Sequence, residues 1–290
     1  MQYLPEDLKQ EYLFLTKNNP DLDGFSHPFL NLSDAFRAYF ILIHYFTDAS
    51  TDEEKESMMV GIRSIDLLAS ALGRQKVSFG GKQKYTAPLD ICSTLFFGMV
   101  KNHSFNDGNK RTALLLLLYQ LQLYGYYPIA SKKKFESLVL HVADDSIEKN
   151  YYGIYKKYKK QEDAIIKTIS HLLRSMTVKK NNAYHLAPTM REFCDALESY
   201  NVTYKVENDK VKFAYKVPGQ WFIFKSSEKS YSVSFHGWTR TVGAKTARDT
   251  LRGLGLYDQF PSYQHMLQRT ESLYELVDEF KEPLRRLKDK

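Results

Sequence analysis

The sequence predicts a mainly α-helical bundle that carries a β-hairpin flap and is followed by a small C-terminal α+β domain. Three observations lead to this prediction. Apolar residues recur at helical spacing in most segments between 33 and 173. Segment 75–86 instead combines a Gly-Gly pair with alternating apolar and basic residues, which is typical of a hairpin. Beyond 189, short alternating runs lie between helical patterns, as in an α+β domain.

The length of 290 residues exceeds that of the usual single hydrophobic core, which favours two domains. Segment 176–188 is polar, contains Asn181-Asn182 and ends in Pro188, so it is the predicted linker. The domains are therefore placed at 1–175 and 189–290. The second domain is the candidate for binding a substrate or RNA.

The elements follow in order from these patterns. In the first domain we expect helices at 5–16, 33–46, 58–72, 89–101, 114–123, 134–142 and 148–173. In the second we expect helices at 189–200, 241–254 and 271–287, with strands at 202–206, 211–217, 221–225 and 231–235.

Composition narrows the class of protein. The formal net charge is +7 and part of it lies in lysine runs, which favours acidic partners, although each run alone is typical of a solvated helix face. The two cysteines, Cys92 and Cys194, lie far apart in predicted helices and are expected to be buried free thiols. The N-terminus lacks the pattern of a signal peptide, and no apolar run reaches membrane-spanning length. We therefore expect a cytoplasmic protein without membrane association.

One polar loop, 103–111, stands directly before a long apolar helix and has the chemistry of a phosphate site. The first turn of a helix presents unpaired N–H groups and positive potential to an anion. Gly108 allows close approach of the backbone, Asn109 can donate from its amide, and Lys110 and Arg111 add positive charge.

Three further residues complete the loop. Asp107 supplies a carboxylate of the kind that Mg²⁺ accepts beside phosphates. His103 has the side chain whose proton moves most readily near neutral pH, so it is the candidate general base. Phe105 is the expected apolar anchor of the loop.

These residues resemble the Fic/Doc motif, His-x-Phe-x-Asp/Glu-Gly-Asn-x-Arg. All six defining positions are filled, by His103, Phe105, Asp107, Gly108, Asn109 and Arg111. The ending Lys110–Ala113 resembles the Doc (death-on-curing) branch, as do segment 61–72 and the flap. The resemblance covers roughly residues 25–150.

The resemblance implies an enzyme, a toxin or effector that transfers a phosphorus-containing group from Mg-ATP, or another nucleotide, to a Ser, Thr or Tyr hydroxyl of a target protein such as a translation factor. The AMP-transferring branch typically has a glycine and a second arginine where this chain has Lys110 and Leu114, which favours phosphoryl transfer as in Doc. Gly108 agrees instead with the AMP-transferring branch, so both alternatives stay open.

Further partners follow from the same resemblance. The flap is expected to dock the target through Val77, Ser78, Phe79, Gly80 and Gly81. Restraint of the activity is expected from a separate antitoxin.

The second domain faintly resembles the HicA-like arrangement of double-stranded-RNA-binding type, without its catalytic histidine. A basic and aromatic patch at 236–248 makes RNA a candidate ligand. A non-catalytic module that binds RNA is therefore a further alternative.

Overall fold

The computed structural model describes residues 4–21, 28–47, 59–179, 188–198, 200–216, 228–257 and 272–288. The chain divides into two compact units. Unit 1 comprises Met1–Asn181 together with Leu276–Lys290, and unit 2 comprises Asn182–Glu275.

The division departs from the predicted domains at both edges of the second domain. Leu276–Lys290 lies in unit 1, although the sequence prediction assigned it to the C-terminal domain. The reason is its apolar stripe, which is buried in unit 1 and comprises Leu276, Val277, Phe280, Leu284 and Leu287. The predicted linker also begins with a strand, because Thr177–Lys179 pairs with Tyr126–Pro128.

Unit 1 is mainly helical, which confirms the predicted fold class. Its helices are α1 (Glu6–Asn18), α2 (Leu32–Thr47), α3 (Ile65–Gly73), α4 (Pro88–Lys101), α5 (Asn109–Leu123), α6 (Lys132–Ala143), α7 (Ile147–Asn150), α8 (Tyr152–Tyr155) and α9 (Ala164–Met176). Its strands are β1 (Ser78–Phe79), β2 (Lys82–Gln83), β3 (Tyr126–Pro128) and β4 (Thr177–Lys179). A 3₁₀ turn spans Arg74–Lys76.

Helix α5 is the centre of unit 1. It packs against α2, α4 and α6, and its residues from Ala113 to Leu118 are at most 1% exposed. A helix that is apolar on all sides must be buried on all sides, and each fully buried leucine contributes about 1.5–3 kcal/mol. The loop that opens α5 is therefore attached to a helix that is buried in the core of the unit.

Two predicted helices of unit 1 are shorter than expected. The helix predicted at 58–72 begins only at Ile65, because Ile62 instead forms an antiparallel bridge with Phe105. The helix predicted at 148–173 is divided into α7, α8 and α9. Turns replace it at 156–160, where four exposed lysines would repel one another at helical spacing.

Unit 2 has the order α10 (Met190–Glu198), β5 (Val202–Glu207), β6 (Lys210–Lys216), β7 (Glu228–Ser234) and α11 (Ala244–Leu254). The strands form one antiparallel sheet in the order β5-β6-β7. The predicted turn at Asn208-Asp209 is present, with both residues at positive φ, as a tight hairpin requires. The strand predicted at 221–225 lies outside the described residues.

The chain ends with α12 (Ser272–Glu279) and α13 (Lys281–Arg286), which were predicted as one helix. The interruption at Phe280 fits Pro283, whose ring is incompatible with a regular hydrogen bond to the preceding turn. Within the described residues, no helix has the length and apolar character needed to cross a lipid bilayer.

Candidate active site

The motif loop is fastened to the segment before α3 by main-chain hydrogen bonds. The N–H groups of Arg63 and Ser64 both donate to the Ser104 carbonyl, at 2.8 and 3.1 Å. The N–H of Asn106 donates to the Gly61 carbonyl at 3.1 Å. These hydrogen bonds flank the antiparallel bridge between Ile62 and Phe105 and limit the movement of the loop.

Phe105 is the anchor that the sequence predicted. It is 1% exposed and stacks on the ring of Tyr39 in α2, with 4.2 Å between the ring centroids and 16° between the planes. The Tyr39 hydroxyl donates to the Gly61 carbonyl at 3.1 Å and accepts from the Gly61 N–H at 3.0 Å. One buried tyrosine thus contacts both segments, Gly61 through its hydroxyl and Phe105 through its ring.

The environment of Tyr39 also changes its acidity. Burial raises the pKa of Tyr39 to about 12, and the Asp107 carboxylate acts in the same direction. The hydroxyl therefore stays protonated and continues to donate far above neutral pH. The sequence does not identify Tyr39 as a support of the loop, because a tyrosine in an apolar helical stripe has the same pattern whether it supports a loop or only packs in the core.

Gly108 and Asn109 set the entry into α5. Gly108 precedes the helix with φ 79° and ψ 15°, a left-handed conformation that favours glycine. Asn109 is 4% exposed, and its amide closes the loop on itself. It accepts from the Phe105 N–H at 2.9 Å and donates to the Phe105 carbonyl at 2.8 Å. This amide, predicted to face phosphate, is thus engaged in bracing the loop.

His103 lies at the exposed rim of the loop. Its φ of 48° is uncommon for a residue with a side chain, and such strained positions cluster at functional sites. Hydrogen bonds of the residues on either side of His103 hold the main chain in this conformation. The Asn102 amide donates to the Leu67 carbonyl at 2.8 Å, and the Ser104 carbonyl accepts two hydrogen bonds from the segment before α3.

Asp107 lies between His103 and the start of α5 in the chain and is half-buried. Its Oδ1 accepts from the Gly108 N–H at 2.6 Å. In the described part of the chain, no group of three or more His, Cys, Asp or Glu side chains is placed to hold a metal ion. A single carboxylate fits Mg²⁺ that takes its remaining ligands from phosphates and water, and does not fit a metal held by protein alone.

The two cations of the loop differ in exposure. Lys110 is partly exposed, whereas Arg111 is fully buried, with its guanidinium 4.6 Å from the centroid of the Phe46 ring. Arg111 donates to the main-chain carbonyls of Leu284 and Arg285, at 2.7 and 3.1 Å. The predicted phosphate ligand is thus engaged by the C-terminal segment of unit 1.

The flap is a hairpin, as predicted. Ser78 pairs with Gln83 and Phe79 with Lys82, around the turn Gly80-Gly81, whose φ values of 56° and 77° suit glycine. Phe79 is 92% exposed and Val77 is 42% exposed, so the flap presents an apolar edge.

The base of the flap is tied to α5. Gln75, which is 1% exposed, receives a hydrogen bond of 2.6 Å from the Gln120 amide and exchanges two bonds with the Leu30 main chain. The hairpin therefore projects from a fixed root. Gln75 was read as part of the flap, and its role as an anchor appears only in three dimensions.

The basic and aromatic patch of unit 2 is divided by the fold. Trp238 packs against Phe235 and Tyr204, with centroid distances of 4.9 and 6.0 Å, and lies under the Arg191 guanidinium. Lys245 and Arg248 are exposed on α11. Trp238 is thus partly buried and packs against the core of unit 2, while the two cations lie on the exposed side of α11.

Comparison with known proteins supports the resemblance of the motif segment. Residues 29–121, about one third of the chain, match the model of the Fic/DOC family. This segment runs from the start of α2 through the flap and the motif loop into α5. Proteins of this family generally transfer nucleotide-derived groups to proteins, typically with ATP and Mg²⁺. No curated protein and no solved structure is significantly similar to the chain.

Proposed function

Taking the Fic/Doc-type motif segment as the premise, we propose that this chain transfers a phosphorus-containing group from Mg-ATP, or another nucleotide, to a hydroxyl of a target protein. The observation that carries the proposal is the exposed His103 on a braced, strained loop that leads through Asp107 into the N-terminus of a buried helix. Transfer of this kind needs mainly alignment and neutralisation of charge, which such a loop can supply.

In the proposed reaction the ring of His103 accepts the proton of the target hydroxyl. The hydroxyl oxygen forms a bond to phosphorus, and the bond from phosphorus to the leaving oxygen breaks. Attack at the γ-phosphorus releases ADP, and attack at the α-phosphorus releases pyrophosphate. The braced main chain on either side of His103 fixes where its Cα lies relative to the start of α5.

The phosphates would lie at the start of α5. Gly108 permits close approach of the main chain, and Lys110 supplies a cation at the partly exposed side. Asp107 would hold Mg²⁺, which neutralises phosphate charge when bound. Arg111 is the second cation, available once its present carbonyl partners are replaced.

Phosphoryl transfer is favoured over nucleotidyl transfer within this proposal. Leu114, at the position of the second arginine of AMP-transferring relatives, is fully buried and apolar, so it offers no further charge to a polyphosphate. The target would align along the flap, where main-chain pairing with β1 and contact with Phe79 position a chain without reading much of its sequence.

The test is transfer of label to protein, with ATP labelled at either the α- or the γ-phosphate. We expect label from the γ position, lost in His103→Ala and retained in the control His236→Ala, an exposed histidine of unit 2. Equal transfer by His103→Ala, with unchanged circular dichroism, would refute the proposal. Label from the α position would assign nucleotidyl transfer to the same site.

The rival proposal is a binding module whose unit 2 binds RNA. Its support is the exposed basic side of α11, with Lys245 and Arg248. It predicts RNA binding that falls in a Lys245→Glu, Arg248→Glu double variant and is indifferent to His103→Ala. If no label is transferred from either phosphate and RNA binding responds to the variants in this way, the RNA-binding module would be favoured over the transferase.

A further inference from the structure

Unit 1 contains a cleft between helix α9 and the turns that precede it, named here the α9 cleft. Its volume is about 260 Å³, and all of its lining residues carry polar side chains. Tyr158 and Gln161 line it from the turns, and Asp90 lines it from α4. Four residues at the spacing i, i+3, i+4 and i+7, which share one face of a helix, line it from α9, namely Lys167, Ser170, His171 and Arg174.

Hydrogen bonds between the three contributing segments fix the walls of the α9 cleft. The Tyr158 hydroxyl lies 3.0 Å from Nδ1 of His171, which joins the turns to α9. Lys167 donates from Nζ to Oδ2 of Asp90 at 2.8 Å, which joins α9 to α4. The cleft is therefore formed before any ligand enters it, as is usual for sites that bind small molecules.

The side chains of the cleft are mostly hydrogen-bond donors. Asp90 is the one carboxylate in its lining, and it is already bonded to Lys167, whose ammonium has further N–H groups to donate. The same hydrogen bond raises the pKa of Lys167, so the ammonium stays charged. Arg174 is exposed, and its guanidinium has no hydrogen bond or ion pair within the described residues. Two cations and one carboxylate leave the cleft positively charged.

Ser170 supplies a donor deep in the cleft. Serine and threonine hydroxyls inside helices commonly bond the carbonyl four residues earlier, as Thr168 does with Ala164 at 2.7 Å. Ser170 is 4% exposed, yet its hydroxyl has no hydrogen bond to any part of the chain that the structure describes. A polar group this deep costs free energy unless a partner reaches it, and here that partner must come from the cleft.

The lysine run of unit 1 stands beside the cleft. Its four lysines are exposed and flank Tyr158 in the turns, at positions 156, 157, 159 and 160. Their charges raise the local concentration of anions. The transfer proposed for the motif loop makes no use of them, so an anionic ligand of the cleft accounts for a feature that the first site leaves unexplained.

Charge and size together select the class of ligand. A phosphate ester presents three acceptor oxygens and up to two negative charges, which suits several donors better than a carboxylate does. Lysine and arginine are the usual cationic ligands of phosphate. The cleft is slightly smaller than the sites of about 300–1,000 Å³ that hold drug-sized molecules, so it fits a small metabolite and not a segment of a macromolecule.

We propose that the α9 cleft binds a small phosphate ester, such as a sugar phosphate, as a second ligand site of this chain. Lys167, Ser170 and Arg174 donate to the phosphate, and the Gln161 amide donates to an oxygen of the remainder. The site is separate from the motif loop. Asp90 lies in the first turn of α4, and the loop follows the end of that helix, about 16 Å further along its axis. The inference therefore does not depend on the proposed transferase.

The test uses ribose 5-phosphate as the probe, titrated by calorimetry into the full chain without nucleotide or Mg²⁺. Arg174→Ala and Ser170→Ala each remove one donor and should keep the melting temperature of the wild type, because alanine favours a helix. Lys149→Ala, at an exposed lysine of α7, is the matched control for the loss of a charge. Lys110→Ala reports binding at the motif loop.

We expect Arg174→Ala to weaken the binding of ribose 5-phosphate by about tenfold or more, because it removes a charged hydrogen bond. Ser170→Ala should weaken it several-fold, and both lysine variants should match the wild type. Ribose and succinate, which lack the phosphate, should bind much more weakly. The ring C–H signals of His171 in nuclear magnetic resonance spectra, identified by their loss in His171→Gln, should shift when the probe is added.

Three results would overturn the proposal. They are no binding of ribose 5-phosphate to the wild type, binding that Lys110→Ala abolishes while Arg174→Ala leaves it unchanged, and binding of succinate as tight as that of ribose 5-phosphate. Weaker binding in both Arg174→Ala and Ser170→Ala, with shifted His171 signals, supports the site whether or not label is transferred from ATP. Failure of this inference and failure of the proposed function are thus distinguishable.

Discussion

Replacement of Tyr39 by phenylalanine should weaken the motif loop without disturbing its core. The ring that stacks on Phe105 is retained, and only the hydroxyl that bridges the N–H and carbonyl of Gly61 is lost. Gly61 is only partly buried, and its carbonyl keeps the hydrogen bond from the Asn106 N–H, so the loss of the hydroxyl is partly compensated. The expected cost is about 0.5–1.5 kcal/mol of the free energy of unfolding of unit 1, the usual net contribution of a hydrogen bond.

The effect should depend on pH in a defined direction. Burial raises the pKa of Tyr39 from 10.0 to about 12, so the unfolded chain ionises first as the pH rises. The stability that the neutral hydroxyl contributes is therefore complete below about pH 10 and is lost between about pH 10 and pH 12. By about pH 11 the wild type should have lost about 1.4 kcal/mol that Tyr39→Phe does not lose.

The assay is urea unfolding at about pH 8 and pH 11, followed by far-UV circular dichroism, with hydrogen exchange of the α2 and α5 amides as the probe specific to unit 1. Tryptophan fluorescence is unsuitable, because both tryptophans lie within Asn182–Glu275. Tyr152→Phe, at a tyrosine that is 53% exposed, is the matched control. A difference between wild type and Tyr39→Phe that is equally large at both pH values would refute this account of the hydroxyl.

Two further predictions concern the flap and the thiols. Phe79→Ser should leave the melting temperature unchanged, because the side chain is 92% exposed. It should raise the KM for the target protein several-fold and change the KM for ATP little. An equal effect on both KM values would contradict the proposed role of Phe79 in docking. Burial raises the pKa of the Cys92 and Cys194 thiols, the latter to about 12, so neither should react with a thiol reagent in native protein while both react in denaturant. Rapid labelling of native protein would contradict the burial of both side chains.

Several local features of the site could be predicted from the residue types alone. The helix after the motif is apolar on every side, so its burial followed from composition. The left-handed conformation of Gly108 was not predicted, since glycine was expected there only to allow close approach of an anion. The Gly-Gly turn of the flap and the Asn208-Asp209 turn of unit 2 were predicted because few residues adopt positive φ at low cost. The assignment of Phe105 as an anchor needed only its position in the motif.

Other features depend on residues far apart in the chain. Ile62 looks like part of a helix, and only its bridge to Phe105 shows why the helix begins later. The hydroxyl of Tyr39 supports the loop across 22 residues of sequence, and the Gln75 amide fixes the flap to α5 across 45. Local periodicity carries no information on such pairs, because it reports which face of an element is buried but not what lies against it.

What the sequence by itself determined is therefore the identity of the motif, the type of most elements and the buried helix beneath the loop. Only the tertiary structure decided which groups the motif residues contact. Arg111 was expected to face a phosphate, and it instead donates to the carbonyls of Leu284 and Arg285, which lie 173 and 174 residues further along the chain. The physical reason is that these acceptors are main-chain oxygens, which every residue possesses, so no pattern of side chains could have identified them.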